Sequence, residues 1–215
     1  MDRPFERAVS YGSYDGGLRE LIHLLKYNGV RPAASVLGRM LAEAVSALEP
    51  ELDSGRVLVI PVPLFKGKRR QRGFNQAESI AVAALKSLPR DRFKLVTDTL
   101  IRTRPTDSQI GLTSHQRRLN LRGAFAVHCK EKVSGREVIL VDDVYTTGTT
   151  ATECARILRR AGASKVWVAT VARTLKLASK YQELDQEETG FEGSDFKGYK
   201  EKSALDGISV ETLKR

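Results

Sequence analysis

One stretch, residues 138–150, limits the fold more than any other part of the chain. It opens with Val138, Ile139, Leu140 and Val141, aliphatic residues with no polar alternation. That pattern predicts a strand buried on both faces, as in a parallel sheet covered by helices. Asp142 and Asp143 follow where the strand is expected to end, and a hydroxyl-rich turn comes next: Thr146, Thr147, Gly148, Thr149 and Thr150. After the turn, Ala151, Cys154, Ala155, Leu158 and Ala161 recur at helical spacing, so a helix starts at the turn. A strand, a turn and a helix in that order aim backbone N–H groups out of a helix N-terminus, where an anion is held by hydrogen bonds and dipole together. Gly148 lets the backbone approach a ligand closely. Carboxylates repel phosphate but accept hydrogen bonds, so the two acids suit the vicinal hydroxyls of a ribose, and a divalent cation would reconcile them with phosphate. The ligand written into this stretch is a ribose 5-phosphate moiety. A strand-to-helix turn with Thr or Asp as an ordinary cap is the plainer alternative, but the whole pattern in this order is much rarer. Neither GxxxxGK[ST] nor a GxGxxG after a strand occurs.

The rest of the chain supplies a parallel α/β frame around that stretch. Residues 9–15 alternate and read as a short strand. Leu18, Leu21, Ile22 and Leu25 mark a helix that Asn28-Gly29 stops, and a second helix spans about 33–48. Residues 56–60 read as the first central strand, left through Pro61-Val62-Pro63-Leu64. A basic segment follows, with Lys66, Lys68, Arg69, Arg70 and Arg72, and then a helix over about 75–88. Two apolar runs, 94–96 and 99–101, are expected to form one further strand. Thr113 and Gln116 make a capping box for a short helix carrying Arg117, Arg118 and Asn120. Residues 123–127 and 166–172 read as strands, with Gly162 ending the helix between the organising turn and the last strand. Strand, helix, strand implies a right-handed parallel crossover, and ligands in such sheets bind beyond the carboxyl ends of the strands. The expected layout is an N-terminal helical hood over 1–54, a core over 55–175, and a polar tail over 176–215 read as a flexible extension with a short helical piece near 209–214.

Composition sets few further limits. The chain has 215 residues and a net charge of +10, which suits a polyanionic small molecule or nucleic acid equally. No segment has the apolar length of a membrane span, and the first residues lack the apolar core of a signal peptide, so a cytoplasmic location is expected. Cys129 and Cys154 are far apart and have no metal-ligand spacing. Cys154 is expected to pack in the core.

Two segments carry secondary chemistry. The basic residues after Pro63 are a solvated loop, a pyrophosphate site, or a nucleic-acid contact; with only Phe65 and Phe74 near them, a base-stacking platform is poorly supported. The polar stretch 104–118 is long for a connection inside a compact domain, as lids often are.

These pieces together resemble the type I phosphoribosyltransferases, and their order is similar to that in the ComF/GntX group of that family. The resemblance rests on Leu18-Arg19-Glu20-Leu21-Ile22 with Lys26-Tyr27, on Pro61-Val62-Pro63-Leu64, on Arg72-Gly73-Phe74-Asn75-Gln76, on segment 102–120 and on Val141-Asp142-Asp143-Val144. It implies a mostly parallel sheet flanked by helices with a small N-terminal hood. It implies that phosphoribosyl pyrophosphate (PRPP) binds with its ribose hydroxyls on Asp142 and Asp143 and its 5′-phosphate on Thr146, Thr147, Gly148, Thr149 and Thr150. The pyrophosphate would lie on Val62, Pro63 and Leu64 with Arg69, Arg70 and Arg72, and Arg104, Arg117 and Arg118 would reach it when the 104–118 loop closes. Magnesium would be held mainly by the substrate, with Asp142 and Asp143 as the protein's ligands. The group often carries an N-terminal Cys-rich zinc module, which is either absent here or lost to a late start, and Asp2 stands where glutamine-hydrolysing relatives need a cysteine, so glutamine hydrolysis is not expected.

Two functions follow from that resemblance. One is an enzyme that transfers the phosphoribosyl group to a nitrogen nucleophile and releases pyrophosphate. The other is a non-catalytic PRPP or nucleotide binder acting in DNA uptake, with DNA or the competence machinery as partner. The acceptor and the oligomeric state are left open.

Overall fold

The computed structural model describes residues 4–106 and 114–174, with the side chains of residues 114, 115, 117 and 118 left aside. The expected lid tip at 107–113 and the tail at 176–215 lie outside the described residues. The elements are β1 (Ala8–Ser13), α1 (Gly16–Tyr27), α2 (Ala33–Ser46), β2 (Val57–Pro61), α3 (Lys66–Arg72), α4 (Gln76–Ala84), β3 (Phe93–Leu95), β4 (Leu100–Arg102), α5 (Ser114–Leu121), β5 (Phe125–Val127), β6 (Glu137–Tyr145), α6 (Thr149–Arg160) and β7 (Lys165–Arg173).

Five strands form one parallel sheet in the order β1-β7-β6-β2-β3. The unbroken apolar runs of β2 and β6 sit at its centre because both faces are covered. On one face, α1, α2 and α4 bring Ile22, Leu25, Leu37, Leu41 and Ile80 against Val57, Val59, Ile139 and Val141. On the other, α6 brings Cys154, Ala155 and Leu158 against Leu58, Val138, Leu140 and Val168. Burying each such Leu, Ile or Val contributes about 1.5–3 kcal/mol. The α6 residues are those the helical spacing predicts, and Cys154 is fully buried. Gly38 of α2 is placed where α4 crosses it. A Cβ there would stand 2.4 Å from the Ala83 Cβ and 2.9 Å from its backbone. The glycine sets how closely the two helices approach.

Three expectations are corrected by the geometry. Residues 94–96 and 99–101 do not make one strand. β3 joins the main sheet beside β2, while β4 pairs antiparallel with β5 in a separate hairpin. The basic segment forms a helix, α3, ended by Gly73 at φ 80°. β6 does not stop before Asp142: pairing continues through Asp142 opposite Thr170 to Tyr145 opposite Arg173. The 1–54 segment adds β1 to the sheet beside β7 and packs α1 and α2 into the same core as the central strands. Among the described residues no helix is long and apolar enough to cross a membrane.

Candidate functional site

The carboxyl ends of β2, β6 and β7 converge on the start of α6. Asp142 lines a small cavity together with Val144, Tyr145, Thr146, Gly148, Thr149, Thr150, Ala151 and Thr170. Gly148 is the N-cap of α6 at φ 71° and ψ 8°, a left-handed conformation that β-branched neighbours avoid. A Cβ at this position would fall 2.2 Å from the Tyr145 hydroxyl, so the tyrosine ring lies against the bare backbone. The Thr147 and Thr149 hydroxyls are 2.8 Å apart. The N–H groups of the first helical turn have no intrahelical acceptor, and the first backbone bond runs from Thr152 N–H to Gly148 O at 2.8 Å.

The two acids are adjacent but aim differently. Asp142 faces the threonine turn, and its Oδ1 accepts the Asp143 N–H at 2.9 Å. Asp143 turns toward α1: its Oδ1 accepts the Val144 N–H at 2.8 Å, and its Oδ2 lies 2.6 Å from Lys26 Nζ. Burial, and then the neighbouring Asp143 charge, push the Asp142 carboxyl up to about 8. Burial alone would depress Lys26, but the charge and hydrogen bond of Asp143 outweigh it and raise the ammonium above its ordinary value. Tyr14, raised mainly by burial, feels both charges and meets His23 Nε2 at 3.1 Å.

The remaining expected residues divide. Val62 sits beside the acids because its N–H donates to Val141 O at 2.8 Å, and Asn75 Nδ2 donates to Val62 O at 3.0 Å. Sheet pairing thus runs one residue past β2 and occupies the Val62 amide; Pro63 has no N–H, which leaves Leu64 to offer one. On α3, Arg69 pairs with Glu78 at 3.3 Å, Arg72 donates to Gln76 Oε1 at 2.6 Å and lies over the Tyr27 ring at 5.7 Å, and Arg70 is exposed. Arg104 turns back onto Asn120 O at 3.0 Å and Arg122 O at 2.8 Å, where it caps the end of α5. The Arg117 and Arg118 side chains lie outside the described residues.

The sequence pattern of the phosphoribosyl transferase domain matches residues 55–198. The chain belongs to that family. This phosphoribosyl transferase domain is 35% identical over 175 residues to the "DNA utilization protein YhgH" of Escherichia coli O157:H7, covering 80% of this chain and 74% of that one. It is 32% identical over 171 residues to "Competence protein F" of Haemophilus influenzae, covering 79% and 73%. It is 23% identical over 150 residues to "Competence protein ComFC" of Bacillus subtilis, covering 70% and 57%.

Three residues of the domain gain a place that sequence reasoning did not give them. Lys26 falls four residues after buried Ile22, so its charge on an apolar helix face was a readable signal. Thr170 enters the cavity through its register with Asp142 and bonds the Ser10 hydroxyl at 2.7 Å. Arg102 lies over the Phe125 ring at 5.4 Å, with a buried Nε that has no partner among the described residues, and feels the Asp142 charge. Nothing in the local sequence marked the last two.

Proposed function

We propose that the chain binds PRPP and transfers its phosphoribosyl group to a nitrogen nucleophile, releasing pyrophosphate. One observation carries the reading: Asp142, Thr146, Gly148, Thr149 and Thr150 line a single cavity at the carboxyl edge of a parallel sheet. The helix-end amides and threonine hydroxyls supply donors for the 5′-phosphate. Asp142 is an acceptor for one ribose hydroxyl, and Asp143, one residue on, reaches the other once its contact with Lys26 is shared. Leu64 and the arginines of α3 stand on the neighbouring β2 side for the leaving group.

Magnesium fits this donor set only as a substrate-borne ion. Among the described residues no group of three or more His, Cys, Asp or Glu converges, so Asp142 and Asp143 would complete a shell that pyrophosphate oxygens mostly fill. When bound, the ion would screen the leaving pyrophosphate. The chain's own residues position the ribose and hold the phosphate.

A second reading is favoured by the relatives' names. It is a binder of PRPP or a nucleotide that serves DNA uptake without transferring anything. Both readings place the protein in the cytoplasm. Calorimetric titration with PRPP, with and without magnesium, tests what they share. A screen of nucleobases and ammonia for pyrophosphate release separates them: release with one acceptor supports transfer, and binding without release under every acceptor supports the second reading. If Asp142→Asn and Asp143→Asn together leave PRPP affinity unchanged, the ribose assignment is wrong.

A further inference from the structure

The opposite edge of the sheet carries a charge pattern that the ribose-phosphate site does not use. Val57 registers with Phe93, and Leu58 with Val138, so Arg92, Arg56 and Arg136 occupy one row across the starts of β3, β2 and β6. Each is fastened to backbone at its neighbour. Arg92 donates to Gly55 O, Arg56 to Arg90 O at 3.2 Å, and Arg136 to Arg56 O at 3.1 Å. Strand alternation sends all three to the α6 side, since Val57, Phe93 and Ile139 face the other core. Like charges on adjacent strands repel, and among the described residues none of the three pairs with a carboxylate. Beside the row lies a cavity of about 270 Å³ lined by Leu58, Lys94, Val96, Glu131, Lys132 and Arg136. The nearby acids are mostly engaged: Asp98 pairs with Lys132, and Asp53 and Glu137 meet Lys165. Glu131 at the cavity and the exposed Asp91 and Glu6 remain as negative charges near the row.

We propose that this amino-terminal edge is a docking surface for the phosphodiester backbone of nucleic acid, gripped by Arg92, Arg56 and Arg136. A carbonyl bond uses one of a guanidinium's five donors and fixes its plane, which leaves donors for phosphate. Two strand spacings give the row a length of roughly 10 Å, and about three charges of one nucleic-acid strand occupy that length. Phe93, next to Arg92, is buried, and among the described residues no aromatic side chain lines the cavity beside the row, so contact is to backbone without sequence preference. Arg136 stands just before β6, six residues ahead of Asp142 and roughly 20 Å away, so this surface does not depend on the ribose-phosphate reading.

The test is binding of a labelled 20-base-pair DNA across a sodium chloride series, read by fluorescence anisotropy. For the full chain, the log of the binding constant should fall linearly with log salt. In the triple variant Arg56→Gln, Arg92→Gln, Arg136→Gln the slope should shrink by about 3, with an affinity loss on the order of ten-fold per arginine at 50 mM salt. A variant of α3, Lys68→Gln with Arg70→Gln, should keep the parent slope, and millimolar ribose 5-phosphate should not displace the DNA. If the triple variant does not fold, each single variant should lower the slope by about 1. No DNA binding by the parent chain, unchanged slopes in the arginine variants, or loss confined to the α3 variant overturns the proposal.

Discussion

Lys26 Nζ lies 2.6 Å from Asp143 Oδ2, which ties the first helix of the chain to the acidic pair on the central strand. Both side chains are largely buried, at 18% and 6% exposure, and among the described residues the Val144 N–H is the further donor to Asp143. Removing the lysine leaves a buried carboxylate without its counter-charge, which costs about 3–5 kcal/mol. Lys26→Met should therefore lower the denaturant midpoint sharply, and Lys26→Met with Asp143→Asn should recover part of the loss. Equal destabilisation by the single and double variants in urea titrations would show that the pair carries no such energy.

Asp142 makes stability depend on pH in a definite direction. Its carboxyl titrates near 8 in the folded chain, against an ordinary value of 3.8. The folded state thus holds a proton that the unfolded state has released, so stability is greatest below about 4 and declines as pH rises toward 8. Asp142→Asn removes that penalty. Its melting temperature should match the parent near pH 4.5 and exceed it by on the order of 10 °C at pH 8.5. A constant difference across that range in thermal scans would contradict the assignment.

Gly148 is held at a positive φ with the Tyr145 hydroxyl where a methyl would go. Gly148→Ala should weaken PRPP binding at least ten-fold while leaving the melting temperature within a few degrees, because the strain is confined to the turn between β6 and α6. Adding Tyr145→Ala should restore part of the affinity by opening the space. Titration calorimetry on the two variants reads the difference.

Gly38 gives a contrary case. Alanine is the better helix former by about 1 kcal/mol, yet the new methyl would stand 2.9 Å from the Ala83 carbonyl carbon and the Ala84 nitrogen. Gly38→Ala should destabilise by about 1–3 kcal/mol, since backbone cannot yield as a side-chain tip does. Urea midpoints for the variant settle the sign.

The parts of the molecule that periodicity controls were readable before any coordinates. Ala151, Cys154, Ala155 and Leu158 face inward because a helix repeats every 3.6 residues, and the run at 138–141 is a central strand because nothing polar interrupts it. What failed depended on partners distant in sequence. Asp142 stays in the strand because Thr170 pairs with it, and the two apolar runs after Arg92 part because Val127 recruits the second. Lysines and arginines at 66–72 look like loop residues, but the segment spans a helix whose exposed sides they occupy. Within the site, the turn was legible as a local pattern, whereas the split between Asp142 and Asp143 depends on Lys26, more than a hundred positions earlier.

The sheet is completed by its two chain-distant members, since β1 is an edge strand that pairs only with β7, the last strand of the described fold. On a ribosome the first strand emerges with no neighbour to join, and it stays so until residues 165–173 have cleared the exit tunnel. The Ser10 hydroxyl, which meets Thr170 beside the acids, arrives at the site in that same final event. A nascent chain therefore has its acid-and-threonine turn synthesised before β7 is there to stand behind it.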